Sequence, residues 1–404
     1  MVVLMSTQRG LTCASGVSTL NLMSSLKIPD DFASLIERQK SVFPKIAKGL
    51  GGQIVIMGTG ELGRVLGQRL QQLPIEVKCF CDNNPKKQGS TFLGRPTLSV
   101  VEAVKQFNGR AVFVIAIFHS SAGQEQLKKL GCEYFVTAPV FCRHLGSPLL
   151  PFASIDLPTA IDKHRQEVAR CAALWADEKS RAEFQQILSW FMADDLTTFA
   201  DHDPESDLYF PPDLWRPNAQ EHFVDCGAFD GDSLLFLINK TGAKFSGATA
   251  FEPDPKNFKA LQDNVAAQPL GVRQKIRLVN AAVGVKRGVV HFTVSGTAAS
   301  AVQDAGALPV DCLALDDEFR DVRPTYIKMD LEGYELEALA GAAKLMANHS
   351  PILAITCYHK IEHLWQIPLL IHSYQPGYRF YLRRYAEDCW ETVCYAVPPD
   401  RQMA

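Results

Sequence analysis

The sequence predicts an α/β protein: two doubly wound modules joined by a helical linker. Three observations carry this. Apolar runs of strand length alternate with amphipathic helical stretches in two separate series, from Gln53 to Pro148 and from His222 to Pro398, the pattern of parallel sheets covered on both faces. Each series opens with a strand that runs into a glycine-bearing turn, GTGELG (Gly58–Gly63) and DCGAFDGD (Asp225–Asp232). Between them lie two helical stripes, Ile161, Val168, Ala172 and Trp175, then Phe184, Ile187, Leu188 and Phe191. A chain of 404 residues is too long for one ordinary core and suits two domains.

In order, Phe32, Leu35 and Ile36 mark a first amphipathic helix. QIVIM is a strand, RVLGQRLQQL a helix, VKCFCD a strand, SVVEAVKQF a helix, AVFVIAIF a strand, GQEQLKKL a helix and CEYFVTA a strand. After the linker helices comes a turn-rich stretch, DHDPESDLYFPPDLWRPN. The second series reads FVDCGA (strand), DSLLFLINK (helix), GATAFEP (strand), PKNFKALQDNV (helix), IRLVNAAVG (strand), then the shorter strands VVHFTV and VDCLAL. TYIKMD (strand), YELEALAGAAKLM (helix) and PILAITCY (strand) follow. RFYLRRY and ETVCYAVP close the chain as a hairpin. The expected domains are a disordered tail (1–28), a Rossmann-like nucleotide- or nucleotide-sugar-binding domain (29–150), the linker (151–217) and a second α/β domain (218–404).

Composition excludes several classes. Hydrophobic content is 47%, charged content 21% and formal net charge −3, so there is no basic footprint for nucleic acid. Arg379, Arg383 and Arg384 in RFYLRRY read as a solvated strand. No apolar run reaches the length that crosses a bilayer. The 11 cysteines form no framework, which points to reduced thiols and a cytoplasmic setting. The first residues are rich in Ser and Thr and lack acids; with a single Arg they read as a disordered tail before a transit peptide. An oligomer is compatible with all of this.

In the first module Gly58, Gly60 and Gly63 fit the dinucleotide fingerprint, with Asp82 at the end of the next strand placed to take ribose hydroxyls. A purely structural module is the alternative. No Tyr-Lys pair supports a dehydrogenase or epimerase. In the second module Asp225, Gly227 and Gly231 frame a turn with fewer donors for a pyrophosphate. Glu252, ending the second strand, offers a carboxylate to both ribose hydroxyls, and Asn280 with Ala281 ends the third strand near the base. This suits a nucleoside without phosphate, such as S-adenosylmethionine.

The pieces VDCGAFDGDS, FEPDPKNFKALQDNV, LVNAAVG, IKMDLEGYELEALAGA and LAITCYHKIEHLWQIP, in this order and spacing, resemble the FkbM-type methyltransferases, over roughly Tyr209 to Pro398. The resemblance implies a seven-stranded class I methyltransferase fold ending in an antiparallel hairpin. It also implies S-adenosylmethionine as cofactor, and O-methylation of a hydroxyl on a sugar, nucleotide-sugar or natural product. A small-molecule acceptor is the expected partner, with neither nucleic acid nor membrane. IMGTGELGRVL…CFCDNNPKKQGSTFLGRPTLS resembles the N-terminal domain of bacterial sugar O-acetyltransferases and implies a sugar-nucleotide ligand for the first module. The rival class is a degenerate binding or scaffolding protein that has lost catalysis.

His359-Lys-Ile-Glu362-His363 spells the H-x-x-E-H of one class of zinc peptidases, which needs both histidines on one helix. PILAITCY reads as a buried strand, so His359 falls at its carboxyl end, and Pro368 disfavours helix at Ile367. His359 is therefore read as a lip residue of the crevice and the first candidate base for an acceptor hydroxyl. Asp330, which also borders the donor, is the second, and Glu332 lies beside it. Asp330 and Glu332 offer oxygens that suit Mg2+, but no third ligand is visible, and no metal is assigned. Ser300 stands where relatives often carry a serine that could touch the acceptor.

Overall fold

The computed structural model describes residues 26, 28–50, 52–146, 158–193, 199, 201–293, 301–302 and 308–403. The expected tail (1–28, apart from residues 26 and 28) and Ser300 lie outside the described residues.

The first sheet contains β1 (Ile54–Met57), β2 (Val77–Cys81), β3 (Thr91–Phe92), β4 (Arg95–Leu98), β5 (Val112–Ile115) and β6 (Phe135–Thr137). Its order is β3-β4-β2-β1-β5-β6, parallel except where β3 folds back on β4. That hairpin comes from GSTFLGRP, whose strands of two and four residues are too short to show a period. β1 and β5 are buried along their whole length, as expected of central parallel strands covered on both faces.

The second module contributes β7 (His222–Cys226), β8 (Gly247–Phe251), β9 (Ile276–Val279), β10 (Ala282–Val283), β11 (Gly288–Thr293) and β12 (Ala301–Val302). It continues with β13 (Leu308–Leu313), β14 (Tyr326–Met329), β15 (Ile352–Thr356), β16 (Arg379–Arg384) and β17 (Thr392–Val397). Seven of these make one sheet, β16-β17-β15-β14-β7-β8-β9, in which β17 runs antiparallel to β15 and β16. The remaining four form a small sheet, β10-β13-β11-β12.

Three local readings change. IRLVNAAVG is two strands in different sheets, parted where the Asn280 amide turns back to the carbonyls of Glu252 and Pro253. YELEALAGAAKLM is two helices, Glu335–Ala340 and Ala343–His349, broken at Gly341. A Cβ there would lie 2.0 Å from the Gly284 carbonyl oxygen, so the chain passes too close for any side chain. The helix His363–Tyr374 runs through Pro368 without stopping. Pro368, the sixth residue, removes the donor that the Leu364 carbonyl would have had; the Cys171 thiol donates to that oxygen instead (3.6 Å), and the proline ring is buried.

The linker helix Glu178–Met192 is held firmly. It lies on β16, where Arg383 is buried against Asp177 (2.6 Å) and Asp213 (2.8 Å), and Arg384 against Glu183 (2.6 Å). Buried arginines persist only when paired this fully, because an unpaired guanidinium could not leave water. Arg383 and Arg384 of RFYLRRY are thus interior ion pairs instead of part of a solvated strand, whereas Arg379 is exposed. The two modules meet where Ser121 N donates to Glu387 (3.0 Å) and the Phe118 ring packs edge-on against Trp390 (4.9 Å). No described helix is long and apolar enough to cross a membrane.

Candidate active site

A cavity of about 270 Å³ opens at the carboxyl ends of β7, β8 and β14. Open parallel sheets bind ligands there, because strand ends and loops leave a crevice where the strand order reverses. Gly227, Glu252, Ala281, Asp330 and Glu332 line it, as do Tyr209, Phe229, Asp232, Lys328, Tyr358 and Glu391. Gly227 (φ +81°) is required here: a Cβ would sit 1.9 Å from the Asp330 carbonyl oxygen. The turn after β7 can therefore press against the end of β14 only with a bare backbone.

Glu252 is fixed at the floor. Its Oε2 accepts from Phe229 N (2.9 Å) and its Oε1 from Asp254 N (2.8 Å), leaving a second lone pair on each oxygen for a ligand. Burial pushes its pKa up to about 7, offset in part by those two amides. Asp225 is fully buried and stands behind the cavity, 3.1 Å from Lys328 Nζ, which also donates to Gly227 O (2.7 Å). Burial lifts Asp225 to about 6 while Lys328 opposes the rise. Burial opposes the Lys328 charge in turn, but Asp225, Asp330 and Asp232 outweigh it and raise that pKa. Gly231 packs on Leu261, and Asn280 braces the Glu252 turn; neither lines the cavity.

The opposite wall is acidic. Asp330 Oδ2 accepts from Tyr209 OH (2.7 Å), and Glu332 is carried on a backbone with φ +53°, a costly conformation for a residue with a Cβ. His359 lies just behind this pair, its side chain 7% exposed. Its Nδ1 is 2.8 Å from Glu335 Oε1, and its Nε2 is 3.5 Å from Asp330 and 3.6 Å from Glu332. Burial works against a charged ring, yet Glu335 and Glu332 outweigh it and raise the His359 pKa well above the usual value. Burial raises Glu332, with His359 opposing and Asp330 adding. Burial, then Asp330, pushes Glu391 up to about 7.

The H-x-x-E-H letters resolve here. His363 Nδ1 is 3.0 Å from Glu335 Oε2, so both rings turn to one buried carboxylate. Glu362 is only the residue ahead of the helix. Asp330, Glu335 and His359 each offer a ligand atom within 4.8 Å of the others.

Five contributors escaped the sequence reading. Tyr209 comes from the turn-rich link, where the aromatic and proline cluster YFPPDLW was the available sign. Glu391 sits in the terminal hairpin turn with φ +50°, and Tyr358 reaches it (3.4 Å). Lys328 and Glu335 lie inside IKMDLEGYELEAL as buried charges.

The first module has its own cavity, about 220 Å³, lined by Gly58, Gly60, Asp82, Phe118 and others. Gly58 and Gly63 are small because backbone passes close by, whereas Gly60 faces open space. Asp82 is engaged by its neighbours: Oδ2 accepts from Thr59 N (2.9 Å) and Oδ1 from Asn84 N (2.9 Å). Burial opposes its ionisation, but Thr59 and Asn84 outweigh this and lower its pKa. Glu61 and Asp82 line this cavity and no lysine or arginine does, among the described residues.

A seven-stranded sheet with a reversed last hairpin and this crevice is a Rossmann-like methyltransferase fold. Residues 225–385 match the model of the methyltransferase FkbM domain. The crystal structure of a methyltransferase FkbM from Methylobacillus flagellatus KT aligns with a TM-score of 0.73 at 24% identity, over 94% of this chain and 100% of that one. Both modules therefore share that fold. A precorrin-6y C5,15-methyltransferase from Geobacter metallireducens GS-15 aligns with a TM-score of 0.29 at 11% identity, over 46% of this chain and 83% of that one. No curated protein matches the chain.

Proposed function

We propose that the protein is an S-adenosylmethionine-dependent methyltransferase that O-methylates a hydroxyl of a small molecule, a sugar or natural product. The observation that carries this is Glu252, held by two backbone amides beside the bare Gly227 turn, in a cavity whose other carboxylates face inward. A pocket with Asp232, Glu252, Asp330, Glu332 and Glu391 around a single lysine favours a cationic guest.

S-adenosylmethionine supplies a methyl group already activated by a positive sulfur. Glu252 would take the ribose hydroxyls, Gly227 would let the ligand lie against the backbone, and Ala281 would leave room for the base. Asp330, Glu332 and Glu391 would set the acceptor hydroxyl in line with the methyl and receive its proton. His359, held charged by its carboxylate neighbours, orients this wall better than it could accept a proton. The first-module cavity, lined by Glu61 and by Asp82 with Lys87 Nζ 3.4 Å from it, has no unpaired cation in its lining among the described residues and favours a neutral sugar over a diphosphate. A nucleotide-linked acceptor would have to rely on the amino end of the helix Glu61–Leu70, which itself starts with an acid.

Calorimetric titration with S-adenosylmethionine and S-adenosylhomocysteine tests the reading. Heat with both is expected in wild type and a loss of about tenfold or more in affinity in Glu252→Gln. No heat with either ligand on folded protein overturns it. Labelled donor incubated with a metabolite extract then identifies the acceptor by mass spectrometry; label confined to protein or RNA refutes a small-molecule acceptor.

A further inference from the structure

We infer that the acceptor is a neutral disaccharide or longer saccharide that spans both cavities. One sugar sits in the first-module cavity, and the methylated hydroxyl reaches the second cavity across Phe118, Trp390 and Tyr358. This narrows the acceptor class of the proposed function and rests on that reading.

The two crevices meet at their carboxyl ends. The first cavity is bordered by Met57, Asp82 and Ala116, at the carboxyl ends of β1, β2 and β5. The second lies at the carboxyl ends of β7, β8 and β14. The turn between β16 and β17 stands at that same end of the second sheet, because Val393 pairs with Thr356, the last residue of β15. Ser121, just beyond β5, donates its amide to Glu387 of this turn (3.0 Å) and its hydroxyl to the other oxygen. Two strand-end crevices are thereby joined at one turn, and ligands bind preferentially where domains meet.

A row of rings crosses that turn. Phe118 lines the first cavity and Tyr358 the second. Trp390 lies between them, its ring centroid 4.9 Å from Phe118 and 5.7 Å from Tyr358. All three residues are half-buried, so each keeps some surface for a ligand. Asp388 (φ +58°) and Glu391 (φ +50°) flank Trp390 in left-handed conformations that are costly for residues with a Cβ. The turn therefore sets the indole in place at a local cost. Glu391, the residue after it, lines the second cavity and accepts from Tyr358 OH (3.4 Å).

This arrangement suits a saccharide. A pyranose presents a face of C–H bonds whose slight positive charge matches the negative face of an aromatic ring. Its hydroxyls need acceptors, and Glu61 and Asp82 line the first cavity. Asp82 Oδ1, which accepts from Asn84 N (2.9 Å), keeps a second lone pair for one of them. A single sugar would fill one cavity but not both, because two ring-to-ring steps separate their linings.

The test measures kcat/KM for labelled methyl transfer to glucose, galactose, mannose and N-acetylglucosamine, each beside its α- and β-linked disaccharides and trisaccharides. At least one linked sugar is expected to exceed its monosaccharide by about tenfold or more. Trp390→Ala should bring that ratio close to one, mainly by raising KM, whereas Trp390→Tyr keeps a flat face and should retain most of it. Phe118→Ala, at the rim of the first cavity, tests the same row where Trp390→Ala does not fold. Circular dichroism and S-adenosylhomocysteine affinity report on folding. Equal kcat/KM for single and linked sugars in wild type, or a ratio that survives both alanine variants, overturns the inference. So does a lack of transfer to every saccharide by protein that binds S-adenosylmethionine, an outcome that leaves the donor reading standing. Absence of donor binding is the separate failure of that reading.

Discussion

Glu335 Oε1 lies 2.8 Å from His359 Nδ1, a carboxylate and an imidazole joined in the interior directly behind the acidic wall of the cavity. The same carboxylate meets His363 and accepts from the backbone amides of Leu331 (2.9 Å) and Gly333 (3.3 Å). One side chain thus ties the turn after β14 to the turn after β15.

Glu335→Gln should destabilise the protein by about 3–5 kcal/mol, because the paired ring is left buried without its counter-charge. Burial opposes the Glu335 charge, but His359 and His363 outweigh it and hold the pKa well below 4.5; the contribution of Glu335 is present above 4.5 and lost as pH falls through the folded value. The His359 pKa is raised above 6.5, so its contribution is present below 6.5 and lost as pH rises through the folded value. The difference between wild type and variant in urea unfolding should therefore be largest between pH 4.5 and 6.5. A difference independent of pH would contradict the pairing.

Donor affinity should depend on Glu252. Its pKa is about 7, so the acceptor form that takes ribose hydroxyls is a minority at pH 6 and the majority at pH 8. Affinity for S-adenosylmethionine, measured by calorimetry, should rise about tenfold across that interval and lose the dependence in Glu252→Gln.

Gly227→Ala should cost about 2–4 kcal/mol and abolish donor binding, since the added carbon meets the Asp330 carbonyl at 1.9 Å. Chemical denaturation and titration on the surviving folded fraction check both. An undisturbed variant would mean that the turn can relax.

Asp82→Ala should lower stability by about 1–2 kcal/mol, because the amides of Thr59 and Asn84 lose their acceptor. Donor affinity should not change. A raised acceptor KM would show that the first cavity takes part in acceptor binding; an unchanged KM would assign it a structural role.

The amino-acid sequence by itself determined the layered α/β architecture, because burying both faces of a parallel sheet imposes apolar runs and amphipathic helices that are visible one segment at a time. It also determined the two glycine turns and the places of Glu252 and Asp330 at strand ends, since close backbone approach and chain reversal need particular residues locally. The tertiary structure decided the rest. Tyr209, His359 and Glu391 are far apart in the chain, and only the crossing order β17-β15-β14-β7 brings their turns to one crevice. It decided that Arg383 and Arg384 are interior, since Asp177, Glu183 and Asp213 arrive from the linker to neutralise them. It also decided that the two histidines of HKIEH share a carboxylate. Periodicity records which face of an element is buried; it holds no record of which distant charge waits on the other side.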